Sequence, residues 1–411
     1  MNNKKKTHKK SGVLRRCALA LLLVALLPLL CGCSGGQEIE DCLFVISMAV
    51  DPARDGGLTV TVKALSGTQE AAAPQEKEKE REVTGDSAPK TDAGGENTQP
   101  GYVVLSATAD SCLSALDLLG ATTPRYVNLS QLQEIVLSET IARTDATLSI
   151  LKEIYALFEA NDGAVVVVTP GDAGDFIRRQ YAMFGVRLSQ YLQVLFDHFE
   201  KLGTIPSGAN LSSVIAAMES GTKDAAAVYA AANDFGATLQ LSGDSVTDRL
   251  PGHLPRTSPA RNEYLGSAVF SGARMTAVLT GDETTMLRLL RGEAQNTSFV
   301  LDGAMMQVKT RTRVKRQVLT EGEQTVLAVH IGMNLSLSAG QLSQTQAQVA
   351  ASIERSAVSV IEKLQAAGSD AAGFGAIAVR RYRDIPAWEE AAWAERYARA
   401  AVRAAADLRI D

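Results

Sequence analysis

The most specific chemistry in this 411-residue chain lies in four residues, Leu30-Cys31-Gly32-Cys33. A thiol preceded by a small residue, with a branched residue three positions before it, fits the pattern at which a thiol is diacylated and then becomes the new N-terminus. Cys33 meets it, with Gly32 before it and Leu30 at the third place. The flanks agree: Lys4, Lys5, Lys6, Lys9, Lys10, Arg15 and Arg16 form a cationic start, and residues 17–30 are apolar but too short to cross a bilayer comfortably. Residues 1–32 are therefore expected to be an export signal and Cys33 the lipidated anchor, since two acyl chains hold stably where one holds only marginally. An ordinary secretory signal with an incidental cysteine is the alternative.

Other residue types that do chemistry are scattered. Of the four histidines, His8 falls in the signal, and His198, His253 and His330 have no second histidine or cysteine at ligand spacing, so the expectation is no metal site and no cofactor. Phosphate-cradling glycine loops, a Gly-x-Ser-x-Gly elbow and a His-Glu-x-x-His helix are missing from the sequence. The carboxylate pairs Asp244/Asp248, Asp282/Glu283 and Glu389/Glu390 suit a solvated surface better than a glycosidase, whose acid needs an apolar pocket. His198, between Asp197 and Phe199, is expected to be a half-buried packing residue. Lys309, Arg311, Arg313 and Lys315 alternate with Val308, Thr310, Thr312 and Val314, but no aromatic residue is interleaved for base stacking. That row, with a net charge of −5, reads as a solvated strand face and not as a nucleic-acid surface. Cys42 and Cys112 sit in apolar patterns where buried thiols are common, although an oxidising compartment would permit a bridge. The expectation is a protein that is not an enzyme.

The elements around these residues alternate in type. Residues 41–50 and 58–64 predict a β-hairpin across the turn-rich 51–57, and 67–100, charged and nearly without large apolar residues, predicts a disordered insertion. Strands are expected at 102–107, 135–137 and 164–168, the last buried on both faces. Helices are expected at 111–119, from an N-cap at Asp145 with Leu148, Leu151, Ile154, Tyr155 and Phe158 on one stripe, through Leu188 to Phe199, and over 211–218. Beyond a proline-rich linker at 250–262 come a hairpin over 266–279, a helix at 283–290, a strand 307–318 paired with 326–337, and an amphipathic helix over 343–366. The fold class is α+β, multi-domain, with antiparallel sheets and packed helices. With 46% hydrophobic and 21% charged residues, 411 residues support two to three domains. Their bounds are placed at 33–200 (carrying the 67–100 insertion), 201–300 and 301–411.

The tail holds a distinctive series: Asp370-Ala371-Ala372-Gly373-Phe374-Gly375, then Arg380-Arg381-Tyr382, Pro386, Trp388 and Trp393. Physically, Gly373 and Gly375 suit a tight turn with a close backbone approach while Phe374 fills a core, and Trp388 and Trp393 would flank one helix that packs back on the domain. The series resembles the end of the Ger(x)C family of spore germination lipoproteins. Further blocks follow in the same order: Glu38-Ile39 with the strand to Asp51, Val136-Leu137-Ser138-Glu139 with Ala142, and Gly266-Ser267-Ala268-Val269-Phe270 leading to Leu279. The chain departs from the family's pattern at Ser34-Gly35-Gly36-Gln37, where many members carry Trp-Asp, at Gly340-Gln341, and in the 67–100 insertion.

The resemblance implies a non-catalytic lipoprotein subunit of a nutrient germinant receptor. It would be held on the outer face of the spore's inner membrane, in a Gram-positive spore-former, beside two integral-membrane partners, the A- and B-type subunits. It also implies fold-defining roles for Gly373, Phe374, Gly375, Tyr382, Trp388 and Trp393. A substrate-binding lipoprotein of a transporter and a cell-wall-associated lipoprotein are the alternatives.

Overall fold

The computed structural model describes residues 39–66, 101–157, 160–183, 186–233, 250–254, 262–293, 298–301, 304–309, 312–340 and 344–410. The signal, Cys33, the 67–100 insertion, Phe158, Asp244/Asp248, Arg311 and most of the 250–262 linker lie outside them. The chain divides after Cys42 into a leading unit, whose described part is the 3-10 turn Ile39–Asp41 with Cys42, and a body from Leu43 to Asp411.

In chain order the elements are β1 (Cys42–Pro52), β2 (Leu58–Leu65), β3 (Tyr102–Ala109), α1 (Cys112–Thr122), β4 (Tyr126–Asn128), β5 (Glu134–Ser138), α2 (Glu139–Ala142), α3 (Ala146–Ala156) and β6 (Val165–Thr169). There follow α4 (Ala173–Arg178), α5 (Leu188–Leu202), α6 (Leu211–Glu219), β7 (Ala226–Ala232), β8 (Asn262–Ser271), β9 (Arg274–Leu279) and α7 (Gly281–Arg291). The last part holds β10 (Ser298–Leu301), β11 (Ala304–Val308), β12 (Arg313–Glu321), β13 (Gln324–Ala339), α8 (Gln346–Ala366), α9 (Gly375–Ala378), α10 (Ile385–Glu390), α11 (Trp393–Ala398) and β14 (Ala401–Ile410). The class is α+β.

The first sheet has nine strands in the order β3-β2-β1-β5-β6-β7-β8-β9, with β4 on β1. Its centre is parallel, β1, β5, β6 and β7 in succession, and its flanks are antiparallel. Helices cover both faces, which is why its strands are continuous apolar runs. Val45, Met48, Val166 and Val168 pack under α1, α3 and α6, while Ile46, Ala49 and Val167 meet α4 and α5. Residues 201–300 contribute α6 and strands β7 to β9 to this same layer. Gly266 has φ +94°, and a Cβ there would lie 2.3 Å from the Leu279 carbonyl oxygen, so only glycine fits at that point of the β8–β9 hairpin.

The second sheet runs β10-β11-β13-β12, with β14 parallel to β13. Val349, Ile353, Val360, Ile361 and Leu364 of α8 fill one core with Leu327, Val329 and Ile331 of β13. The strand expected over 307–318 is two segments: β11 pairs with residues 335–339 of β13 and β12 with 324–332, interrupted between.

Three local expectations change. Asp145 precedes α3 but caps nothing, because its carboxylate pairs with Arg274. The buried stripe of α3 is Thr147, Ile150, Leu151 and Ile154, rotated from the expected one, and Tyr155 is exposed. His198 is exposed, with its ring 5.9 Å from that of Phe199. Among the described residues no disulfide forms; Cys42 and Cys112 are both buried, and burial pushes the Cys112 thiol up to about 12.

Candidate functional site

Asp370 organises the tail. Just past the end of α8, its Oδ1 accepts the Phe374 N–H at 2.8 Å, and its Oδ2 accepts the Gly375 N–H at 2.6 Å and the Trp393 indole N–H at 3.0 Å. The Asp370 N–H in turn donates to Asp224 Oδ2 at 2.7 Å, which ties the turn to the loop before β7. Burial is the largest influence on Asp370 and pushes its carboxyl up to about 6; the three N–H donors oppose that, and the charge of Asp224 adds to it.

The glycines of this turn have separate reasons. Gly373 has φ +75°, whereas a Cβ on Gly375 would meet the Thr222 carbonyl oxygen at 2.5 Å and the Trp393 indole nitrogen at 2.7 Å. Between them Phe374 is fully buried, its ring centroid 6.5 Å from that of Tyr397. Trp388 and Trp393 stack at 5.8 Å, but from two short helices, α10 and α11, instead of from one. The Trp388 N–H donates to the Gly221 carbonyl at 3.2 Å, and Tyr382 packs edge-on against Trp388 at 5.4 Å. The structure thus brings Gly373, Phe374, Gly375, Tyr382, Trp388 and Trp393 into one cluster, anchored on residues 221–224. Nothing local in the sequence marks that loop as its partner.

The same turn walls a cleft of about 700 Å³. Arg288 and Arg291, three apart on α7, and Arg316, half-buried on β12, line it. Arg291 Nε donates to the Ala371 carbonyl at 2.7 Å, Arg316 Nη1 to the Ala372 carbonyl, and Arg288 Nη1 to the Glu200 carbonyl. Burial lowers the pKa of all three. Glu293 lies 4.0 Å from Arg291 and accepts a hydrogen bond from Ser207. Lys223 sits exposed at the rim. Sequence inspection missed all three arginines, because charged residues spaced along a helix, as Arg288 and Arg291 are, or set in a basic strand, as Arg316 is, look like a solvated face.

A buried polar chain lies under the first sheet. Lys63 Nζ donates to the carbonyls of Ile177, at 3.1 Å, and Gln180. The Gln180 amide donates to Glu134 and, at 2.8 Å, to the Tyr264 hydroxyl, which itself donates to Glu134 at 3.2 Å. Nearby, Asp51 accepts the N–H groups of Ala173 and Gly174, both at 2.9 Å. Among the described residues no cluster of three or more His, Cys, Asp or Glu is placed to hold a metal ion.

Comparison with known proteins adds the relationships. Residues 35–231 match the spore germination protein N-terminal domain, and residues 265–411 match the family described as spore germination B3/GerAC like, C-terminal. No curated protein sequence matches the chain. A crystal structure of the GerBC protein is similar at 15% identity and a TM-score of 0.47, over 88% of this chain and 96% of that one. With these two matched domains spanning most of its length, the chain belongs to the Ger(x)C family of spore germination proteins.

Proposed function

We propose that this protein is a lipid-anchored, non-catalytic subunit of a spore nutrient germinant receptor, attached through Cys33 to the outer face of the spore's inner membrane. It works there beside two integral-membrane subunits of A and B type and is needed for germination in response to nutrients. The observation that carries the reading is the family match over both halves of the chain. Two features support it: the acylation pattern at Cys33, and the fact that no helix among the described residues is long and apolar enough to cross a membrane.

Deleting the gene is expected to abolish or strongly slow germination with at least one single nutrient while uptake of that nutrient by growing cells stays normal. Normal germination combined with an uptake defect would sink the proposal in favour of a transporter's binding lipoprotein. The anchor is tested separately. Cys33→Ala is expected to abolish incorporation of labelled fatty acid and release the protein from membranes, whereas Cys31→Ala changes little. Equal membrane retention of the Cys33→Ala protein would place the attachment elsewhere.

A further inference from the structure

We infer that the cleft between α7, β12 and the Asp370 turn is a binding site for a small organic anion, whose carboxylate or phosphate is held by Arg291 and Arg316 with Arg288 beside them. Three observations carry this. First, Arg291 and Arg316 are fixed on consecutive carbonyls, those of Ala371 and Ala372, so two positive charges that repel one another are held side by side. The charges of Glu293 and Asp370 offset that repulsion in part, but neither carboxylate hydrogen-bonds to the two guanidinium groups, so an anion bound directly between them would be favoured.

Second, the donors are largely unspent. A guanidinium carries five N–H groups in a rigid fork. Among the described residues each of these three makes one hydrogen bond, to a neutral carbonyl. Arg288 is 5% exposed, and its Nε, wholly buried, has no partner. The nearest carboxylate to Arg291 is that of Glu293, at 4.0 Å, longer than a hydrogen bond. Third, there is room. Arginines that only clamped a turn would sit in a close-packed interface, whereas these line an opening of about 700 Å³, within the usual range for a small-molecule pocket. Glu200 and Glu293, which also line the cleft, would repel a second anionic group, which favours a ligand with one anionic head that also carries hydrogen-bond donors.

The test is calorimetric titration and thermal melting of the purified protein with inorganic phosphate, acetate, glutamate and citrate at constant ionic strength. Chloride serves as the blank, and vesicles of neutral or anionic phospholipid form a separate arm. A saturable rise in Tm with at least one soluble oxyanion is expected. In the Arg291→Lys/Arg316→Lys double variant, which keeps both charges but loses both forks, the affinity should weaken about tenfold or more while the Tm without anion stays close to the parent's. Binding to anionic vesicles alone, lost in the same variant, would assign the anion to a lipid headgroup. If the double variant does not fold, Lys223→Glu at the rim replaces it, with the same direction of effect. No saturable response to any probe overturns the inference. So does an equal response in parent and variant, or a double variant whose only change is an anion-independent loss of Tm, the signature of arginines that merely clamp the turn.

Discussion

Replacing Asp370 with alanine is expected to lower the stability of the protein by about 3 to 5 kcal/mol, because it leaves three buried N–H groups without an acceptor at about 1 to 3 kcal/mol each. These are the amides of Phe374 and Gly375 and the indole of Trp393. The loss is comparable with that of Phe374→Ala, also about 3 to 5 kcal/mol, which removes a fully buried ring and leaves a cavity. Asp370→Asn should be milder, since one oxygen still accepts and the buried charge is gone, and it isolates the ionisation. The carboxyl stands at about 6 in the folded chain against an ordinary 3.8. Between those values the native state holds a proton that the unfolded chain has released, so this group adds stability as pH falls through 6, and the gain is complete below about 4. Denaturant midpoints at pH 4, 5, 6 and 7 check this: the parent's pH slope over that range should flatten in Asp370→Asn. A loss under about 1 kcal/mol for Asp370→Ala would mean that the turn is held by its rings and not by its carboxylate.

How far the sequence discloses this arrangement depends on the range of the forces involved. Apolar period and turn chemistry are local, so the β1–β2 and β8–β9 hairpins and helix α8 stand close to where the pattern puts them. Capping is local only in part: Asp172 caps α4 through the Asp175 N–H, whereas Asp145, equally well placed by sequence, is drawn away by Arg274, 129 residues distant. In β2 Val60 and Val62 alternate with the polar Thr61 and Lys63, yet Thr61 and Lys63 are buried as deeply as the valines. The reason is the second helical layer, α4 and α5, whose docking on the back of the sheet no single strand can announce. The tail was legible as a motif, while its partners, Thr222, Asp224 and the arginines of the cleft, come from elements 50 to 150 residues away, as Asp224 does at 146.

Lys63 is also where the other large effect is expected. Glu134→Ala should cost about 3 to 5 kcal/mol, because it leaves buried donors without an acceptor and a buried ammonium without the carboxylate charge that favours it. Glu134 is fully buried on β5; its carboxylate accepts from Gln180 and Tyr264, and its charge is what favours the ammonium of Lys63. Removing it orphans two donors and leaves a cation in the core. Replacing both ends with apolar residues, Lys63→Met with Glu134→Leu, removes the stranded charge, so the double variant should be less destabilised than the sum of the single ones by about 1 to 3 kcal/mol. The pH dependence gives a second readout. Burial depresses Lys63 to about 8 from 10.5, against the opposing pull of Glu134. Between those values the unfolded chain binds a proton that the native state has lost, so stability through this group rises as pH increases from about 8 towards 10. In Glu134→Ala the pull is gone, the lysine falls further, and the rise should begin below pH 8; in Lys63→Met it should vanish. Denaturant midpoints of the four proteins between pH 7 and 9.5 decide the matter. Additive losses, or a pH rise that survives Lys63→Met, would show that Lys63 and Glu134 are not energetically coupled through Gln180.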